Sequence, residues 1–182
     1  GYYKVELERY DIDVELTASE RVGFHRYTYP SSDNSRVIID LGEGSADRPT
    51  ETYLTKVNDT TFQGHRFSSG WASDQREYFT LILSKPVKDF IIYDGDKKHN
   101  STELKGMYVK GFLEFETEKN EEIYVKMGVS TVSSENALEN LIFEIPHWNF
   151  EKVKKEAENK WNQELSKIAI TTDDLKKKRR IE

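Results

Sequence analysis

Ile123-Tyr124-Val125-Lys126-Met127-Gly128-Val129-Ser130-Thr131-Val132-Ser133-Ser134-Glu135-Asn136-Ala137-Leu138-Glu139-Asn140-Leu141-Ile142 changes its reading period once. Up to about Val132 the apolar residues alternate one-in, one-out, as on a strand with one buried face. From Ser133 onward they recur every three or four residues, which is the spacing of a helix face. A strand-rich body thus precedes the switch and helices follow it, up to a lysine-arginine run that ends at Glu182. An end inside an unfinished segment reads as one module of something longer.

Upstream, alternation is clearest in Tyr10-Asp11-Ile12-Asp13-Val14-Glu15-Leu16, where every second residue is apolar and the others are acidic. Asp11, Asp13 and Glu15 therefore read as the water-facing side of a strand rather than as a carboxylate metal site. Residues 22–29 form a second strand, Pro30-Ser31-Ser32-Asp33-Asn34 a turn, and 36–41 a short third strand. Segments 51–57 and 61–67 read as a hairpin around Asn58-Asp59, and 78–83 and 90–93 flank Pro86. Segments 104–117 and 122–132 are expected to pair as a long hairpin across Lys119-Asn120. Roughly ten strands with short turns predict a mainly β fold, an antiparallel β-sandwich.

Two helices are expected after it. Ser133 or Ser134 can cap the first, whose Ala137, Leu138, Leu141, Ile142 and Ile145 form one stripe before Pro146. Asn149 can cap the second, with Val153, Ala157, Trp161, Leu165 and Ile168 along one narrow face. Such a helix suits a place on the sandwich or a path towards a neighbouring domain. Thr171-Thr172-Asp173-Asp174 reads as a further helix start. Lys176-Lys177-Lys178-Arg179-Arg180 then reads as that helix's exposed first turns, or else as a nuclear-localisation or heparin patch. The expected organisation is a sandwich over 1–132 and C-terminal linker helices over 133–182.

The 182 residues suffice for one good core with an appended element. Charged residues make up 33% and hydrophobic ones 36%, as in a solvated globular domain rather than a disordered one. Aromatic residues, at 12%, suit pleated sheets. A net charge of −6 argues against a nucleic-acid partner. The absence of Cys excludes disulfides and thiolate zinc sites. No run of about 18 apolar residues predicts a membrane span, and residue 1 does not begin a signal peptide.

The four histidines, His25, His65, His99 and His147, show no metal-ligand spacing. Nucleophile elbow, phosphate loop and zinc-helix motifs are missing. Asp94-Gly95-Asp96 resembles part of a calcium loop but lacks the later ligands, and reads as a turn. The residues alone describe a non-catalytic β module. One segment stands apart, Gly64-His65-Arg66-Phe67-Ser68-Ser69-Gly70-Trp71-Ala72-Ser73-Asp74-Gln75-Arg76. Sugar sites use this mix, an aromatic face against the C–H face of a pyranose and Asp, Gln and Arg on its hydroxyls. The alternative is a buried Trp in a tight corner whose Ser and Asp satisfy backbone groups.

Tyr2-Tyr3-Lys4-Val5, Glu20-Arg21-Val22-Gly23-Phe24-His25-Arg26-Tyr27, Ser68-Ser69-Gly70-Trp71-Ala72-Ser73-Asp74-Gln75 and Val125-Lys126-Met127-Gly128-Val129-Ser130 resemble the N-terminal domain of glycoside hydrolase family 92. Asn136-Ala137, Asn140-Leu141 and the Trp161 helix ending Glu164-Leu165-Ser166 extend the resemblance over nearly the whole chain, in order. It implies a supersandwich-like β domain joined by linker helices to a large (α/α)6 catalytic barrel. It also implies exo-acting α-mannosidase activity on α-mannoside glycans, in mostly bacterial, secreted or periplasmic proteins. A calcium ion and an inverting acid–base mechanism complete the picture, with carboxyls roughly 6.5–9.5 Å apart.

By the same resemblance, the acid, the base and the calcium ligands sit in the barrel, and none maps onto this sequence. The family's domain also starts upstream of Gly1-Tyr2-Tyr3, so missing strands should leave an unpaired sheet edge, and the face meeting the barrel should be bare and apolar. The chain's expected role is to support and partly line a sugar pocket at the domain interface. Trp71, Asp74 and Gln75 are the candidate substrate-binding residues, with His25 and Arg26 as further candidates. The alternatives are a free-standing carbohydrate-binding module and a scaffold domain.

Overall fold

The structure, a computed structural model, describes residues 1–168. The sequence-predicted helix start at Thr171 and the basic run at 176–180 lie outside the described residues.

The strands are β1 (Tyr2–Leu7), β2 (Ile12–Ala18), β3 (Val22–Tyr29), β4 (Ser32–Asp40), β5 (Arg48–Lys56), β6 (Thr61–Ser69), β7 (Gln75–Leu83), β8 (Asp89–Asp94), β9 (Lys97–His99), β10 (Glu103–Gly106), β11 (Val109–Thr117) and β12 (Glu121–Ser130). Helices α1 (Ser134–Glu144) and α2 (Phe150–Leu165) follow. An eight-stranded sheet, ordered β1-β2-β3-β12-β7-β6-β5-β10, packs on a four-stranded one, ordered β4-β11-β8-β9. All recorded pairings are antiparallel. This is the antiparallel β-sandwich with C-terminal helices that the sequence predicts. Alternate residues of the two inner faces, among them Leu54, Phe62, Leu83, Ile92, Leu113, Phe115 and Ile123, interdigitate in a core shut off from water. Each such side chain contributes about 1.5–3 kcal/mol by leaving water.

The predicted hairpin of 104–117 with 122–132 does not form. The first segment breaks after Gly106, and β10 pairs with β5. β11 pairs with β4 and β8 in the small sheet, whereas β12 pairs with β3 and β7 in the large one. The turn at Lys119-Asn120 therefore carries the chain from one sheet to the other. Asn120 adopts φ 63, and the Glu121 amide donates to the Glu118 carbonyl at 3.2 Å. Phe115 and Ile123 face the same core from opposite sheets. Alternation marks which face a strand buries, and that pattern is the same for a paired neighbour and for a strand across the core.

A second core covers the outer face of the large sheet, where Val22 and Phe24 of β3 meet Leu141, Ile145, Phe150 and Val153 from the helical segment. The Ser133 side chain accepts from the Asn136 amide and the Asn149 side chain from the Lys152 amide, capping α1 and α2 as their sequences predict. α1 lies so close to β12 that a Cβ on Gly128 would stand 2.2 Å from the Ala137 carbonyl oxygen. Lys126, on the same face of β12, is buried and donates from Nζ to the Ile145 carbonyl at 3.0 Å, satisfying the C-terminal end of α1. Burial pushes its pKa down.

The same layer overturns one reading of β2. Glu15 does not face water but is 7% exposed, because α2 lies over β2. It accepts from the Tyr2 hydroxyl and from Arg26 Nε at 2.7 Å. On the inner side, the four-stranded sheet is narrower than its partner. β4 pairs on one side only, with β11. Between it and the uncovered β1–β2 end runs an apolar groove of ≈ 580 Å³ lined by Leu7, Tyr10, Ile12, Tyr27 and Ile38.

Candidate functional site

Loop 70–74 joins β6 to β7 and turns on a bond from the Gly70 amide to the Ala72 carbonyl at 2.9 Å. It projects the Trp71 side chain wholly into solvent, 100% exposed. The buried-corner alternative for this Trp is thereby excluded. Asp74 accepts from Arg76 Nε at 3.2 Å, and Gln75 Oε1 accepts from the Ser68 hydroxyl at 3.3 Å. Trp71 and Gln75 share a polar recess of ≈ 370 Å³ with Glu43, Asp47, Arg66 and Glu77.

The recess owes its far wall to loop 41–47, between β4 and β5. Arg66, on the inner face of β6, donates from Nη1 and Nη2 to the two Asp47 carboxylate oxygens at 2.6 and 3.0 Å, and from Nε to the Leu41 carbonyl at 3.1 Å. That fork fits the planar guanidinium and would not fit an ammonium. It holds the Asp47 carboxyl down to about 2. A Cβ on Gly70 would stand 2.8 Å from Asp47 Cβ and 2.9 Å from the Ala46 carbonyl oxygen, so the two loops touch only because residue 70 is Gly. Sequence reasoning placed Arg66 in the segment it singled out but missed Asp47 and the pairing of the two. The available signal was alternation, which puts Arg66 on the buried face of β6 with Phe62 and Gly64 and so demands a partner for its charge.

His25 and Arg26 are neighbours on β3 and face opposite ways. His25 points inward, its Nδ1 2.8 Å from the Tyr27 hydroxyl, and burial pushes its pKa down, so the ring is neutral near pH 7. It lines a cleft of ≈ 310 Å³ that runs past Arg66 and Glu77, two residues that also line the Trp71 recess. Arg26 points outward, bonded to Glu15 and, at 3.0 Å, to Glu151 of α2, with its guanidinium 4.6 Å from the Phe150 ring centroid. The structure thus gathers Trp71, Asp74 and Gln75 at one corner and sets His25 along the adjoining cleft. It takes Arg26 to the far face, where it ties α2 to the sheet.

Chemically the corner offers an exposed indole face beside carboxylate, amide and guanidinium groups, and Arg66 keeps Asp47 ionised near neutral pH. Among the described residues, no three His, Asp or Glu side chains come together to hold a metal ion. No described helix is long and apolar enough to cross a membrane.

The fold is an antiparallel sandwich with a helical layer on the outer face of its larger sheet. Its sequence places it in a family. Residues 1–130 match the Glycosyl hydrolase family 92 N-terminal domain, and 136–181 match the Glycosyl hydrolase family 92 catalytic domain. The chain belongs to glycoside hydrolase family 92. It is similar to the solved family GH92 alpha-mannosidase BT3965 from Bacteroides thetaiotaomicron, with 30% identity and a TM-score of 0.88, over 94% of this chain and 24% of that one. The inverting mannosidase BT2199 of Bacteroides thetaiotaomicron shares the fold at 21% identity and a TM-score of 0.81, over 93% of this chain and 23% of that one. An uncharacterized secreted glycosidase of Arthroderma benhamiae is 23% identical, over 93% of this chain and 25% of its own length. The chain therefore spans about a quarter of the relatives it matches.

Proposed function

We propose that this chain is the N-terminal part of a secreted, inverting exo-α-mannosidase, whose sandwich supports and partly lines the sugar pocket while the acid and base come from the catalytic domain. The observation that carries this is the 30% identity to an α-mannosidase over 94% of the chain. That relative has also been solved in complex with mannoimidazole. Secretion has support from the name of the fungal relative.

Within this reading the chain's residues bind and orient. The Trp71 indole offers an apolar face to the C–H face of a mannose ring, and Asp74 and Gln75 offer acceptors and a donor to its hydroxyls. The Arg66–Asp47 clamp fixes the wall behind them. Calcium belongs to the catalytic domain in this proposal; among the described residues no three His, Asp or Glu side chains come together that could hold it.

The test is turnover of an α-linked mannobiose with calcium present, by the whole protein and by the 182 residues alone. The whole protein should release mannose, first as the β anomer in a proton NMR time course, and the 182 residues should release none. Turnover by neither would point to a binding or scaffold role, and turnover by the short chain would overturn the assignment.

A further inference from the structure

We infer that Lys126 of β12 is a positioning residue for the mannosidase reaction: it grips the elbow between α1 and α2 and so holds the sandwich in register with the acid and base. This rests on the mannosidase reading above. Lys126 lies within 1–130, the stretch that matches the N-terminal domain, and its two partners, Ile145 and Trp148, lie within 136–181, which matches the catalytic domain. Its Nζ donates to the Ile145 carbonyl at 3.0 Å and stands 4.1 Å from the Trp148 ring centroid. One side chain thus joins the two matched stretches.

The surroundings do not suit a charge kept for stability. Lys126 is 4% exposed, and its neighbours across the sheet are Phe24 of β3 and Ile82 of β7, both in the second core. The ion pairs that tie the helices to the sheet, Arg26–Glu151 and Arg21–Glu144, do not include it. Burial alone acts on its pKa, with no carboxylate beside it among the described residues to offset the cost. Exchanging such an ammonium for an apolar side chain of similar volume is often neutral or stabilising. What the ammonium supplies, and a methionine cannot, is direction. α1 has no basic residue in its last turn, and Nζ brings a cation and a donor to that carbonyl end from the sheet below. The Trp148 ring faces the same cation, and α2 begins just beyond it at Phe150. Two directional contacts therefore fix where α2 starts. A rotation at an elbow grows with distance from it, and a misplacement of about 1 Å at reacting groups can cost about 100-fold in rate.

The test uses the whole protein, with Lys126→Met, Lys126→Arg and Trp148→Leu, and mannobiose as substrate. Lys126→Met should melt within about 3 °C of the parent or higher, yet lose about tenfold or more in kcat with KM within about twofold. Lys126→Arg keeps the cation and the donor and should recover most of that loss. Lys126→Met combined with Trp148→Leu should be no slower than the slower single variant, because both remove one contact. Unchanged kcat in Lys126→Met would overturn the proposal. So would a chain that fails to fold or melts well below the parent, since the lysine would then serve stability. Hydrogen exchange separates the two readings. In Lys126→Met the Ile145 amide, which donates to the Leu141 carbonyl at 3.0 Å, should exchange about tenfold faster while β11 is unchanged. That change in a protein whose unaltered form turns over no mannobiose rejects the mannosidase reading alone. Turnover with unchanged exchange and unchanged kcat rejects the positioning role alone.

Discussion

Arg66 and Asp47, nineteen positions apart, close a two-pronged ion pair at 2.6 and 3.0 Å that fastens the β4–β5 loop beside the Trp71 corner. Because the third nitrogen holds the Leu41 carbonyl, one side chain fixes both ends of that loop. Arg66→Lys keeps the charge but loses the fork. The variant should fold, and protease cleavage within 42–47 should be several-fold faster than in the unaltered chain. Sign follows from direction: the Asp47 pKa is depressed from 3.8 to about 2, so the clamp is present above pH 3.8 and lost as pH falls towards 2. Cleavage rates that match between variant and parent at pH 7 would show that the clamp does not order the loop.

Glu15 offers a second titration, this time in the fold itself. Arg26 and Tyr2 hold its carboxyl down to about 2 from 4.5, against the cost of burial. A depressed carboxylate pKa stabilises the native state above the unfolded value and ceases to do so as pH drops through the folded one. Glu15→Gln should therefore cost on the order of 3 kcal/mol at pH 7 and progressively less between pH 4.5 and 2. Urea midpoints at pH 7 and pH 3 read this directly. A difference that stays constant across that window would exclude Glu15 titration as its source.

Phe24 is the keystone between sheet and helices. It is fully buried, with its ring centroid 5.4 Å from Phe150, 5.9 Å from Tyr124 and 6.1 Å from Trp148. Phe24→Ala should destabilise by about 3–5 kcal/mol, transfer and cavity together. Because the loss falls in the second core, amide exchange should rise first in α2 and only later in β11 and β8. Uniform loss of protection would mean that the two cores unfold as one.

These sites differ in how far sequence exposes them, and the reasons are physical. Capping is local, so Ser133 and Asn149 can be read from a few residues each. Alternation is local too, and it finds β3 and β12 without difficulty. Pairing is not local, which is why Phe115 and Ile123 look like one hairpin when they belong to facing sheets. Glu15 fails for a related reason: whether the polar face of a strand meets water depends on α2, more than 130 residues later. Trp71 shows the reverse. Its residue type argues for burial, and only the turn at Gly70 sends it outward.

That outward indole yields the sharpest separation of stability from function. A wholly exposed side chain has no packing to lose, so Trp71→Ala should shift stability by no more than about 0.5 kcal/mol. If the ring meets the substrate in the whole enzyme, the same change removes a stacking face worth roughly 1 kcal/mol or more, and KM for mannobiose should rise at least several-fold. Trp71→Phe retains a flat ring and should recover part of the loss, which a merely structural effect would not do. Unchanged KM and kcat in Trp71→Ala would remove this corner from the sugar pocket. The Arg66 clamp would then be left as a device for holding the β4–β5 loop, and the search for substrate contacts would move along the cleft towards His25.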